Sequence, residues 1–300
     1  MKLKTRGAVE MIAAMLISGT VGWPVIASEQ PAVTVVFWRC VFGALALFII
    51  CAMLGLLKRG VLTRQQIVIA IIGGITLVLN WVLLFGAYSY ASISVATVTY
   101  HTQPFMLVGL GMLFFGEKLT ANVLCWLLVA FGGMLFIIIG QQGVITLGSD
   151  YLIGIAMALG AALMYAVTAA IIKQLKGLPP HLIVLIQLVV GAILLSPFVA
   201  LSDSPLPGST WGLLLIIGVI HTGLMSSLLY GAIQKIPTSL VGALSFIYPV
   251  VAIIVDWLVF GHRLSAVQMV GAGAILLAAA GMNFGWKLMG NRSRESQKYS

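Results

Sequence analysis

The sequence predicts an all-α polytopic membrane protein. It should have ten transmembrane helices in two inverted five-helix repeats, with both termini in the cytoplasm. Three observations predict this. The chain is 61% apolar and 8% charged, with a mean hydropathy of +1.13, whereas roughly a quarter of a soluble domain's residues are charged. Its apolar residues come in runs of about 20, long enough to span a bilayer as helix, and these unbroken runs lack the period-two alternation of a strand barrel. Its lysines and arginines fall almost wholly on one set of alternate connections, as the positive-inside bias requires.

The spans are expected at 8–28, 32–57, 67–88, 93–115, 120–140, 150–172, 180–201, 211–233, 238–260 and 265–287. The first follows Lys2, Lys4 and Arg6 and carries Glu10 two residues inside its start, at headgroup level. Its basic start, apolar run and Ala27 resemble a signal peptide, but removing it would leave nine helices and break the repeat, so it is expected to stay. With the N-terminus inside, 14 of the 16 Lys and Arg lie on cytoplasmic segments; Arg263 lies outside and Arg39 within a span. The net charge of +9 therefore records orientation in the membrane and does not point to nucleic acid. Cys40, Cys51 and Cys125 fall inside spans, match no metal or disulfide spacing, and read as small apolar filler.

The second half repeats the first. A shift of 145 residues lays Gly86-Ala87 on Gly231-Ala232, Pro104 on Pro249, Gly116 on Gly261, Leu119 on Leu264 and Thr120 on Ser265. A shift of 148 lays Arg39 and Gly43-Ala44 on Gln187 and Gly191-Ala192. The units are residues 1–145 and 146–300. Five helices per unit invert the second copy, an arrangement suited to alternating access about a site near the midplane.

Polar groups inside a bilayer are costly and need a partner or a watery cavity. Arg39, about seven residues into its span, either binds an anionic group such as a carboxylate or ties helix ends through backbone carbonyls. In the fourth span, "TVTYHTQPF" places Tyr100, Gln103 and Pro104 on one helical face. Pro104 lacks an N–H and should kink the helix; Ser245, Tyr248 and Pro249 repeat the pattern in the ninth. His101 and His221 fall near the midplane, either neutral and hydrogen-bonded or titratable and poised for proton coupling. Asn80, Tyr165, Gln187 and Tyr248 complete the candidate substrate-binding set, with Trp23, Trp38 and Tyr230 as further aromatic walls. Trp126, Trp211 and Trp286 read as interfacial anchors, and Asp256 as an outer-surface partner of His262 and Arg263.

Two phrases, "FGEKLT" (115–120) and "FGHRLS" (260–265), end the fourth and ninth spans. Each reads as a tight turn: a glycine, a cation, then Thr120 or Ser265 as the next N-cap. On these residues the chain resembles the EamA-type drug/metabolite transporter family, whose halves each carry a polar residue in the second helix and a proline followed by GE(R/K)L at the fourth. His262 departs from that pattern. The resemblance implies an inner-membrane exporter of a small metabolite: an amino acid, an amino-acid derivative or a secreted metal chelator. A lipid or lipid-linked sugar flippase is the alternative. No enzyme motif, metal cluster or ATP-binding loop is present. That leaves a secondary transporter with no cofactor, whose partners are its substrate and the lipid, acting as a monomer or weak dimer.

Overall fold

In a computed structural model, residues 3–58, 60–90, 93–139, 151–199, 208–261 and 265–288 are described. Among them the regular structure is all helical. Nine segments of the described residues are long and apolar enough to cross a membrane, and the shorter apolar helix Gln103–Phe115 accompanies them. Large apolar side chains such as Leu113, Phe114 and Ile193 face outward while Asn80, Gln187 and Thr222 are buried, the arrangement expected of a bundle solvated by lipid.

The first span is α1 (Leu3–Gly19) with a short α2 (Gly22–Ala27). Then come α3 (Ala32–Met53), α4 (Arg64–Tyr90), α5 (Ile93–Tyr100), α6 (Gln103–Phe115) and α7 (Ala121–Ile139). The second half comprises α8 (Tyr151–Gln174), α9 (Pro180–Leu195), α10 (Gly208–Gly218), α11 (Met225–Lys235), α12 (Thr238–Ser245), α13 (Ile247–Phe260) and α14 (Ala266–Phe284). The helix starting at Gly208 runs through a π-helical turn, Val219–Leu224, between α10 and α11.

The breaks in the fourth and ninth spans follow from proline. Pro104 has no N–H for the carbonyl of Tyr100, nor Pro249 for that of Ser245. The chain turns at His101–Thr102 and at Phe246, the same place under the 145-residue shift. At each break a hydroxyl bonds backbone three residues earlier: Thr102 Oγ1 donates to Thr99 O at 2.7 Å and Ser245 Oγ to Gly242 O at 2.7 Å. The ends of these spans also match, with Gly116 at φ 62° and Gly261 at φ 71°, left-handed caps that glycine adopts without strain. Ser265 then forms a capping box with Gln268, and Thr120 Oγ1 accepts from Val123 N at 3.3 Å.

The helices pair across the halves. The main packings are α4 on α8, α7 on α14, α1 on α11 and α3 on α9. Numbered as spans these are 3–6, 5–10, 1–8 and 2–7, a set that exchanging the halves maps onto itself. Small residues permit the closest approach: a Cβ on Gly133 of α7 would lie 2.6 Å from Gly271 O of α14, as membrane packing favours. Lys4 Nζ donates to Asn283 O at 3.5 Å, so residues 3 and 288 lie at one end of the bundle, here the proximal end.

Candidate functional site

Between the halves lies a cavity of about 90 Å³. Its polar wall includes Arg39 from α3, Asn80 from α4, Tyr100 from α5, Tyr165 from α8 and Tyr230 from α11, with Trp81 beside Asn80. Ile172 and Ile233 line it also, towards the proximal ends of α8 and α11.

Arg39 is held from two sides. Its Nε donates to Thr222 Oγ1 at 2.9 Å, and its guanidinium carbon lies 4.6 Å from the centre of the Trp81 ring, a cation–π contact. Thr222 in turn donates to Ile217 O at 2.9 Å. A hydroxyl bonded to the carbonyl five residues back fits the wider π turn, and π turns in helices recur at functional sites. Asn80 Nδ2 donates to Ala161 O at 2.7 Å and to Tyr100 Oη at 3.2 Å, and the Tyr100 and Tyr165 rings meet edge-on at 6.4 Å.

The structure thus brings Arg39, Asn80, Tyr100 and Tyr165 onto one wall. His101, Gln103, Gln187, His221 and Tyr248 lie outside it. Tyr100 and Gln103 do not share a face of one straight helix as expected, because the break separates them. His101 stacks on Tyr248 at 6.1 Å and its Nδ1 meets Thr97 O at 2.8 Å. Gln103 is buried with no partner for Oε1 among the described residues. Gln187 accepts from the Tyr230 hydroxyl through Oε1, while its buried Nε2 has no partner among the described residues. His221 Nε2 meets Thr20 Oγ1 at 2.9 Å.

A second cluster joins the halves at the proximal end, at the first of the twice-written phrases. Glu117 Oε2 accepts from the backbone N of Thr238 at 2.9 Å and from its hydroxyl at 2.6 Å. Its Oε1 pairs with Lys173 at the end of α8, and Lys173 also donates to Ile236 O at 3.2 Å. A carboxylate at the N-terminus of α12 meets unsatisfied N–H groups and the positive end of the helix dipole. Burial pushes the Glu117 carboxyl up, but the Lys173 and Thr238 hydrogen bonds and the Lys173 charge outweigh it, leaving it below the usual carboxylate range. Close by, Glu10 pairs with Arg6 at 3.0 Å and with Lys235 of α11.

These placements correct three expectations. The phrase at 115–120 is a tight turn, but its Glu117 is also a tie between halves. Glu10 is ion-paired and not merely solvated at headgroup level, because α11 brings Lys235 to it. Trp126 is no interfacial anchor: it is 3% exposed, and its indole N–H donates to Trp286 O at 3.1 Å. The Asp256 pairing with His262 and Arg263 rests on side chains outside the described residues.

The sequence profile of the EamA-like transporter family matches this chain twice, over residues 5–139 and 152–284. The chain belongs to the EamA-like transporter family. It is therefore a multi-pass membrane protein of a transporter family, and the two matches coincide with the two five-helix halves. Within this family setting, the uncharacterized transporter YxxF of Bacillus subtilis (strain 168) is 30% identical over 284 residues, covering 94% of this chain and 89% of the relative. The pseudopaline exporter CntI of Pseudomonas aeruginosa (strain UCBPP-PA14) is 27% identical over 192 residues, 63% of this chain and 64% of that protein. A solved crystal structure superposes with a TM-score of 0.83 over 93% of this chain and 96% of its own, at 16% identity, a likeness of fold.

Sequence reasoning missed the two polar ties that organise the transporter. Thr222 reads as an ordinary apolar-helix threonine, and nothing local marks the π turn that aims it at Arg39. Glu117 was legible as a motif residue, but its partners lie 56 and 121 positions away.

Proposed function

We propose that this transporter exports a small metabolite across the bacterial inner membrane by alternating access. The cargo class is an amino acid or an amino-acid derivative, metal-chelating derivatives included. The observation that carries the reading is a polar cavity between inverted halves, with an inter-half ion-paired cluster at one end only among the described residues. Arg39, Asn80, Tyr100 and Tyr165 hold the cargo. Glu117, Lys173 and Thr238 close the proximal end and part when that end opens. The lysine and arginine distribution supports a cytoplasmic proximal end, and on that reading the closed cluster faces inward. With no nucleotide-binding loop in the sequence, movement follows a solute or proton gradient. The relative named for pseudopaline export supports an outward direction and a metabolite cargo.

The test is counterflow in proteoliposomes holding the purified full chain, against a panel of amino acids and N-substituted amino acids. Saturable exchange of at least one panel member, lost when Arg39 or Asn80 is replaced, is expected. Translocation of labelled phospholipid without exchange of any panel solute would overturn the reading.

A further inference from the structure

Among its described residues the cavity wall contains a cation and no acid, and we infer that its cargo is a net anion, so that a free zwitterionic amino acid is disfavoured against a derivative whose amino group carries no charge. The inference rests on the transporter reading above and selects within its cargo class.

Among the described residues of the wall, Arg39 is the only charged group. The described carboxylates near the bundle are occupied elsewhere. Glu10 and Glu117 pair with lysines at the proximal end, and Glu29 sits in the turn after α2. No residue of α13 whose side chain is described lines the cavity. Among the described residues Arg39 is thus embedded without an ionic partner, held by one neutral hydroxyl and one aromatic face. A charge kept out of water and left unpaired is costly, and the cost falls when an opposite charge arrives. A guanidinium also offers several N–H groups in a planar fork that matches a carboxylate; its Nε is committed to Thr222 and leaves the Nη edge.

An ammonium entering the same space meets the opposite situation. It would share a low-dielectric cavity with Arg39, a like charge, and find no carboxylate among the described residues of the wall. The indole face best able to hold it by cation–π contact is already taken by Arg39. What the wall offers instead is the hydroxyls of Tyr165 and Ser226 and the Oδ1 of Asn80, whose Nδ2 is already committed. These suit the neutral oxygens and amide groups of a substituted amino acid.

The experiment uses four probes of one skeleton that differ in charge: N-acetylalanine (anion), alanine (zwitterion), N-acetylalaninamide (neutral) and alaninamide (cation). Binding to the purified full chain is read by the shift in thermal unfolding across millimolar titrations, and exchange by counterflow. N-acetylalanine is expected to bind at least about tenfold more tightly than the other three, a difference of about 1.4 kcal/mol. Arg39→Gln is expected to abolish that preference, and Arg39→Lys to keep its direction with weaker binding, which covers the case in which Arg39→Gln does not fold. Ser226→Asp supplies the missing acid and is expected to raise binding of alanine relative to N-acetylalanine. Binding by none of the four, preference for alanine or alaninamide in the unaltered chain, preference unmoved by Arg39→Gln, or Ser226→Asp leaving the ranking unchanged would each overturn the inference. Exchange of alanine without preference for the anion would sink the inference and leave the transporter reading standing. Anion preference in binding with no exchange of any solute would do the reverse.

Discussion

At the residue scale, the buried side chains Gln187 and Tyr230 show how little slack the interior has. Among the described residues Gln187 has one hydrogen bond, from the Tyr230 hydroxyl, and its Nε2 has no partner. Tyr230→Phe removes that bond and leaves a second buried polar atom unsatisfied, which costs about 1–3 kcal/mol. The expected outcome is a lower thermal unfolding midpoint in detergent; an unchanged midpoint would mean that Gln187 turns to another partner. Gln187→Leu in the same background replaces both polar atoms by apolar ones and should recover much of the loss. The sequence made Gln187 visible as the counterpart of Arg39, but not that it would bond to a tyrosine and stand outside the cavity. That depends on how α9 is rotated against α11.

At the element scale, α6 and α12 are joined by Glu117, and the join tolerates little. A Cβ on Gly111 would meet the Thr238 side chain. Gly111→Val should force α6 from α12 and loosen the Glu117 cap, lowering transport while leaving membrane insertion intact; an unimpaired exchange rate would show that the contact is dispensable. Glu117→Gln keeps an acceptor for Thr238 but loses the Lys173 charge pair. A hydrogen bond to a charged group is worth about 1.5–3 kcal/mol, so the closed form should lose roughly tenfold to a hundredfold in population, read by cross-linking of paired cysteines placed in α6 and α12. The pH dependence has a definite sign. The folded carboxyl sits below its usual range, so its stabilisation is fully present above the ordinary carboxylate pKa and is lost as the pH falls through the lowered value. The stability difference between the unaltered chain and Glu117→Gln should therefore stay constant from about pH 8 to pH 5 and shrink only in more acidic solution. The prolines were legible as breaks because a missing N–H acts on the chain's own turn. The partner of Glu117 was not, because an ion pair between halves leaves no local trace.

At the scale of the whole molecule, the inter-half cluster at the proximal end and the position-specific departure at His262 make the two ends chemically unlike. The first copy supplies a carboxylate at this position and the second a histidine. A cysteine introduced at Ser226, on the cavity wall, should be modified by a membrane-impermeant maleimide from the distal side and resist it from the proximal side. Labelling from the proximal side alone would reverse the assignment of the closed end. The sequence by itself determined the spans, the duplication with its inversion, the paired breaks and the capped turns. Each of these follows from hydropathy summed along one segment, from matches between the two halves at a fixed shift, or from the backbone limits of proline and glycine. Only the tertiary structure decided which polar residues meet: Arg39 with Thr222 and Trp81, Glu117 with Lys173 and Thr238, and Tyr230 with Gln187. Lipid leaves an isolated apolar helix free to rotate about its axis, and only packing against the other half fixes which side chains turn inward.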